Sequence, residues 1–518
     1  MRFEHAFIVG SIALALGSQA IAAAPAAPVV TVGADLKQLQ FDWERVPSAN
    51  RYELWFKAND AAAWVKYIDV PGAQSESVRI NVSVHLLDWR VAKYRLAACN
   101  SSGCTNSAEV QVTDLGNDAI GYFKPQTSAY NHWYGSAVAL SADGATFAVQ
   151  TGENIGTAAD SATVQIYRKP SPTSGWQREA GLKPNVTQDF TTQPYWGGNP
   201  LALSGNGNLL AFSVPTEGAV SPDTWGSRGA VYLFRRNGSA WQLEQKLVGE
   251  PISGNSFGTQ VELDDAGTTL AVTHNRTASG DLLARGTTDI YRRATTGWRL
   301  VRTLPVPQND MNQCFSISLS GDGQTLFRTC SDPDYVNGVV QVFRAPAWDA
   351  DPDLSVAGAN WLDSTFDGAR FAVRTEQNLV RVFNWNAGVW IQDGEFKTGK
   401  ENYHGPNLAI SRDGAIVAGA DYFDTLAGTG IVYPGTQQNG TIHSGTVWVY
   451  ERRSFGWNLR RILKPALQRG QAYGTVLALG DRGRILAVGA FDDASAASGI
   501  GGDPTDTSVP ERGAAWLY

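Results

Sequence analysis

The sequence predicts an all-β protein, with a small N-terminal sandwich followed by a seven-bladed β-propeller. Three observations carry that expectation. The 518-residue chain is 43% apolar and only 18% charged, with 54 Gly and 17 Trp but 2 Met, a composition of short strands and tight turns. Residues 28–113 alternate apolar and polar side chains between polar turn clusters. From residue 134 onward one four-stranded unit recurs seven times. The charged share lies below the roughly 25% typical of globular chains, and aromatics are plentiful, which excludes disorder. Net charge is −7 with no block of like charge. That gives no electrostatic case for binding nucleic acid or an anionic membrane.

In chain order, export comes first. Ala6–Leu16 form an apolar stretch and Ala20-Ile21-Ala22 fits the small-x-small cleavage rule, so residues 1–22 read as a signal peptide. No later window approaches the ~18 apolar residues that span a bilayer. The mature chain is expected to be exported, periplasmic or extracellular. The four cysteines suit that compartment. Cys99 and Cys104 bracket the turn sequence Asn100-Ser101-Ser102-Gly103, and Cys314 and Cys330 flank a turn centred on Asp322. Each pair is expected to face across a hairpin as a disulfide. A metal site is the rival reading, but no His or Cys is spaced to complete one.

In the sandwich, strands are expected at Leu39–Trp43, Tyr52–Phe56 and Tyr94–Ala98. The layout resembles a fibronectin type III domain. Trp43 matches the early core Trp, Tyr52 the residue after the short turn, Tyr94 the late Tyr, and 99–104 the last hairpin. Asp88-Trp89-Arg90 stands where that family has Leu-x-Pro. The resemblance implies a spacing or docking module whose aromatics are core.

In the repeats, a turn of Ser/Asp/Gly type joins the first two strands, with its Gly at 144, 207, 267, 323, 368, 414 and 483. The third strand reads Val164–Tyr167, Val231–Phe234, Asp289–Tyr291, Val340–Phe343, Val380–Phe383, Val447–Tyr450 and Ala515–Tyr518. Trp176, Trp241, Trp298, Trp390 and Trp457 recur after it. One such sheet cannot bury its faces alone, whereas seven around an axis can. The seventh copy stops at Tyr518, after its third strand. Gly121-Tyr122-Phe123-Lys124-Pro125 aligns with the fourth strand of the sixth copy, so residues 119–124 are expected to close the ring within a domain spanning 115–518.

This unit resembles the FG-GAP repeats of bacterial exported proteins and of the integrin α-subunit propeller. The aromatic-Gly opening matches at Tyr134-Gly135, Phe257-Gly258, His404-Gly405 and Tyr473-Gly474. The family's calcium loops are not carried over. Here the first hairpins are short, as in Ser141-Ala142-Asp143-Gly144, and one carboxylate on a tight turn cannot supply the six to eight oxygens calcium takes. No cofactor is therefore expected. A carboxylate cluster, Asp492, Asp493, Asp503 and Asp506, lies in the long loop of the seventh blade; it is the one candidate calcium site, with Asp503-Pro504-Thr505-Asp506 as its contributors, and solvated loop acid is the preferred reading.

Catalytic motifs are sparse. Gly254-Asn255-Ser256-Phe257-Gly258 matches a hydrolase elbow as a string, but it opens an inner strand rather than a strand-to-helix turn. No His-x-x-x-His pair exists for a metal. Length variation concentrates in the second-to-third strand connections, at 214–229, 273–286, 420–445 and 490–513. The same face carries aromatics outside the strand pattern: Trp133, Trp196, Trp225, Tyr335, Trp361, Tyr403, Tyr422 and Tyr433. Exposed Trp and Tyr stack on sugars or anchor protein partners. The expectation is a non-catalytic binding or adhesion protein that recognises an extracellular protein or glycan. The alternative is a secreted polysaccharide hydrolase or lyase with an axial site.

Overall fold

A computed structural model describes residues 23–518, apart from 87, 113–118, 127–132, 152–163, 172–173, 184–199, 216, 218–227, 251–255, 275–285, 308–312, 333, 335, 400–406, 433–434, 436–438 and 510–511. The signal-peptide region lies outside the described residues. The fold is all-β, and its strands form blade-like antiparallel sheets. Two compact units divide the chain. The first comprises residues up to 32, 41–78 and 92–111, and the second comprises 33–40, 79–91 and 112–518.

In the first unit, the strands Val65–Pro71, Arg51–Lys57, Lys93–Asn100 and Gly103–Asn106 lie side by side in that order. Alternation puts Phe41, Trp43, Tyr52, Leu54, Tyr94 and Leu96 into the core. Trp43 packs 5.0 Å from Tyr52, and Phe41 5.1 Å from Tyr94. The Tyr52 hydroxyl accepts the Val46 N–H at 2.9 Å and so fixes the short turn before its strand. Cys99 pairs with Cys104 across the last hairpin and is disulfide-bonded to it.

Among the described residues of the second unit, seven sheets share one plan, numbered here one to seven. Their first strands are Val138–Leu140, Leu201–Leu203, Val261–Leu263, Gln313–Leu319, Ala359–Ser364, Leu408–Ile410 and Tyr473–Gly480. Those strands neighbour one another in cyclic order, the seventh lying beside the first. Sheet seven takes its outer strand from upstream. Gly121–Lys124 runs antiparallel to Ala514–Leu517, with Phe123 opposite Ala515 and Leu517 opposite Gly121. Cys314 and Cys330 are cross-strand partners in sheet four and form the second disulfide.

The recurring aromatics have a local cause. Between the third and fourth strands a β-bulge falls just before Tyr167, Phe234, Tyr291, Phe383 and Tyr450, at the same point of five sheets. A bulge adds twist, which blade-shaped sheets need to pack face to face. The Trp after the following turn also reaches back to the preceding sheet. Trp241 donates to Glu179 (2.9 Å), Trp298 to Glu244 (3.0 Å) and Trp457 to Asp393 (3.2 Å). Each acid is also held by an arginine, Arg236, Arg293 or Arg452 respectively.

Candidate functional site

The first strands enclose a cavity of about 150 Å³, lined by residues of all seven sheets. The central residue of one equivalent triplet in each first strand (138–140, 201–203, 261–263, 317–319, 362–364, 408–410 and 477–479) decides its chemistry. Sheets one, two, six and seven offer Ala139, Ala202, Ala409 and Ala478, whereas sheets three, four and five offer Glu262, Ser318 and Asp363. One arc of the channel is apolar and the other acidic.

The polar arc also joins the strands. Gln260 holds both backbone groups of Ile317, donating to its carbonyl (2.7 Å) and accepting its N–H (3.0 Å). Ser316 does the same for Leu362. Asp363 accepts the Ile410 N–H at 2.9 Å, the Ser364 N–H at 2.8 Å and the Ser318 hydroxyl at 3.3 Å. Burial pushes the Asp363 carboxyl up to about 6, against those three hydrogen bonds. Glu262 receives one contact, from the Gln260 amide at 3.3 Å. Burial first, then the charge of Asp363, push its carboxyl up to about 8. Of the two, Glu262 is thus the one more strongly held in its protonated form. Sequence reading passed over both residues. The available signal was the departure from Ala at one register position of an otherwise repeating triplet.

One end of the channel is ringed by the Ser/Asp/Gly turns. Each first-position hydroxyl caps its own turn, as Ser141 does to Asp143, Ser320 to Asp322 and Ser411 to Asp413. The turns also bond to one another: Asp143 N–H to Gly205 O, Gly205 to Asp265, Asp265 to Gly321, Asp322 to Phe366, Phe366 to Arg412, and Asp481 to Ala142.

The opposite end carries the long connections. Of the aromatics expected there, Trp196, Trp225, Tyr335, Tyr403 and Tyr433 lie outside the described residues. Trp133 and Tyr422 come together with Phe423, Ala472 and Phe491 in one cluster drawn from sheets one, six and seven. Trp133 and Phe423 keep partial exposure there. Phe423 was not among the expected residues. The exposed His443 packs edge-on to it (5.9 Å), and its Nδ1 lies 2.5 Å from the Phe423 carbonyl. Trp361 corrects the expectation that it has no core role. It is 6% exposed and packs with Val380, Val382, Leu408 and Val417 between sheets five and six. The register shift between Ala359 and Trp361 sets its place on the strand. Tyr422, at 9% exposure, is also mostly buried and supports the cluster from beneath.

The four loop acids do not assemble. Asp493 is fully buried, accepting from Lys124 Nζ at 2.7 Å and from the Tyr122 hydroxyl at 2.6 Å. Asp503 caps Thr505, and Asp506 accepts the Ala496 and Ser508 N–H groups. These hydrogen bonds hold both carboxyls below the ordinary carboxylate value. Asp492 is half-buried. Among the described residues, the only close group of three metal-type ligands is Glu53 with Cys99 and Cys104, whose sulfurs are already bonded to each other.

The Lys124–Asp493 contact has counterparts. Lys246 of sheet two pairs with Glu217, which also accepts the Tyr232 hydroxyl (2.6 Å). Lys464 of sheet six reaches Thr446 (2.8 Å), which donates to Asp424 (2.7 Å). In each, a lysine on the outer strand or directly after it secures the base of the second-to-third connection. No described helix is long and apolar enough to cross a membrane.

Among solved structures, the chain is similar to the β-propeller domain of Cps50 (Swd1) from Myceliophteria thermophila. Identity is 13% and the TM-score 0.43, over 70% of this chain and 95% of that one. It is also similar to the hydrazine synthase of Kuenenia stuttgartiensis, at 13% identity and a TM-score of 0.41, over 70% of this chain and 93% of that one. No protein-family model and no curated protein sequence matches the chain.

Proposed function

We propose that this is an exported, non-catalytic binding protein, in which a seven-bladed FG-GAP-type propeller follows a fibronectin type III-like sandwich. Its ligand is an extracellular glycan or protein, taken up at the end of the sheets that carries the long connections. The observation that carries this reading is the aromatic cluster of Trp133, Tyr422, Phe423 and Phe491. It draws on three sheets at that end and keeps Trp133 and Phe423 part-exposed. Loops held on a rigid scaffold are the usual seat of recognition. The cyclic neighbourhood of the first strands and the turn-to-turn bonds support the seven-bladed ring. Two disulfides support an oxidising, exported location.

A glycan and protein array, paired with a reducing-end assay on polysaccharides, tests the reading. Binding without new reducing ends is the expected result, and turnover would overturn it. The axial hydrolase is the second reading, favoured by the protonation states of Glu262 and Asp363, which resemble an acid/base pair. Size argues against it. A cavity of about 150 Å³ falls below the ~300 Å³ at which ligand pockets begin. Asp363 is moreover committed to three hydrogen bonds.

A further inference from the structure

Residues 33–40 and 79–91 belong to the same compact unit as the seven sheets. Their docking is polar and buried. Lys37 N–H donates to Ala119 O (2.8 Å), and Val82 N–H to Lys37 O (3.0 Å). The Gln38 amide reaches Ser174 O (3.2 Å), and Lys169 bonds Asn81. At the centre, Lys37 and His85 are 2% and 0% exposed. His85 Nε2 lies 2.7 Å from the carbonyl of Gly483, in the turn of sheet seven, and Lys37 Nζ lies 3.5 Å from Arg484 O.

A carbonyl only accepts, so the neutral ring carries its proton on Nε2 and leaves Nδ1 bare. Nδ1 makes no hydrogen bond of ordinary geometry, although the Tyr518 backbone lies close to the ring. A second proton would therefore place a charged N–H in a dry contact beside a lysine. The surrounding charges do not favour it. The segments themselves bring Lys37 and the Asp35–Arg79 pair, and sheet one brings Lys169 and Asp143. The turn of sheet seven brings Asp481, Arg482 and Arg484. The outer strand of sheet six, packed on the short helix Val84–Leu86, carries Arg461 and Arg460, the latter paired with Glu451. Cations outnumber acids.

We propose that residues 33–40 and 79–91 form an acid-released latch on the turn end of the sheets, docked while His85 is neutral and freed when its ring takes a second proton. The titration supports the geometry. Burial first, then the Lys37 charge, push the imidazole down to about 3, although the backbone of Gly483 and Tyr518 favours the charged form. The docked state binds its proton only far below the ordinary value of 6.5. The freed segment binds it first, so docking is lost as pH falls below that value. At pH 5 the protonated form of a freed imidazole outnumbers the neutral form about thirty to one, which favours opening about 25-fold relative to pH 7.

Hydrogen exchange of the full chain at pH 7 and 5, corrected for the intrinsic pH dependence of exchange, tests this. Protection over 33–40 and 79–91 should fall by about that factor while residues 230–248 keep theirs. His85→Gln retains an N–H donor toward Gly483 and should remain docked at both pH values. Equal protection of the wild type at both, or an unchanged drop in His85→Gln, overturns the latch. If the variant opens even at pH 7, the wild-type His85 ring decides by NMR titration. A ring silent above pH 5 supports the latch, and a midpoint near 6.5 with the segments still protected overturns it.

Discussion

At the turn end, neighbouring sheets are joined by neutral backbone hydrogen bonds from one turn to the next. The turn glycines there press on side chains. A Cβ on Gly207 (φ +64) would lie 2.2 Å from Thr146 Oγ1, and one on Gly368 (φ +60) 2.7 Å from the Thr325 Cβ. At the loop end the joints are of two other kinds. Glycines before the third strand meet the next sheet's backbone, Gly445 against Tyr473 O and Gly513 against Tyr134 O, both at 2.1 Å for a built Cβ. Lysines then pin the connections, Lys124 and Lys246 directly to a carboxylate and Lys464 through the Thr446 hydroxyl. The turn end is fixed mainly by a repeated short sequence, to which one ion pair, Arg412 with Asp265, adds a joint between the turns of sheets six and three. The loop end must hold connections of differing length, so it anchors three of them by an acid near the start of the connection, Glu217, Asp424 or Asp493, close to where the second strand ends.

That contrast can be broken most severely at Asp493. Removing one partner of a fully buried ion pair strands the other charge, so Asp493→Ala should cost about 3–5 kcal/mol in urea unfolding. A loss under 1 kcal/mol would mean that the loop end does not depend on this contact. Second is the Cys314–Cys330 bridge, whose 16-residue separation stabilises by about 3 kcal/mol on chain-entropy grounds, against about 2 for Cys99–Cys104. Removing each pair by Cys→Ser and comparing melting midpoints checks the order.

Third, Gly513→Ala and Gly207→Ala separate the two ends directly. Each strains a positive φ by ~1–3 kcal/mol, but Gly513 meets rigid backbone and should be the costlier. Equal costs would erase the distinction. Fourth, Glu262→Gln tests the channel between the ends. The native carboxyl is raised from 4.5 to about 8, so its contribution is present below pH 4.5 and lost as pH climbs toward 8. The variant should flatten the stability curve in that window and exceed the wild type at pH 8 by ~1–3 kcal/mol. The smallest change in stability, below about 1 kcal/mol, is expected for the part-exposed Trp133→Ala. Affinity for a confirmed ligand should nevertheless fall at least tenfold.

Much of the repeating framework was legible from local pattern. Turn glycines mark where a positive φ is required, alternating third strands mark the buried layers, and the Cys pairs sit at matched distances from their turns. The upstream strand at 121–124 was readable because it repeats the fourth strand of sheet six. The candidate site was less legible. Trp361 follows an aromatic pattern yet belongs to the core, because a register shift sets its place. Five of the expected aromatics lie outside the described residues.

The sequence by itself determined the all-β class, the recurring unit, its turns and the two disulfides. Each depends on spacing within one hairpin, where the chain's own geometry limits the outcomes. Only the tertiary structure decided that Glu262 and Asp363 share a channel, that Asp493 is a buried partner of Lys124, and that Lys37 and His85 dock beside Gly483 and Arg484. Those contacts join residues about a hundred to several hundred positions apart. Their energies arise from burial and charge, which are properties of the packed assembly rather than of any local stretch.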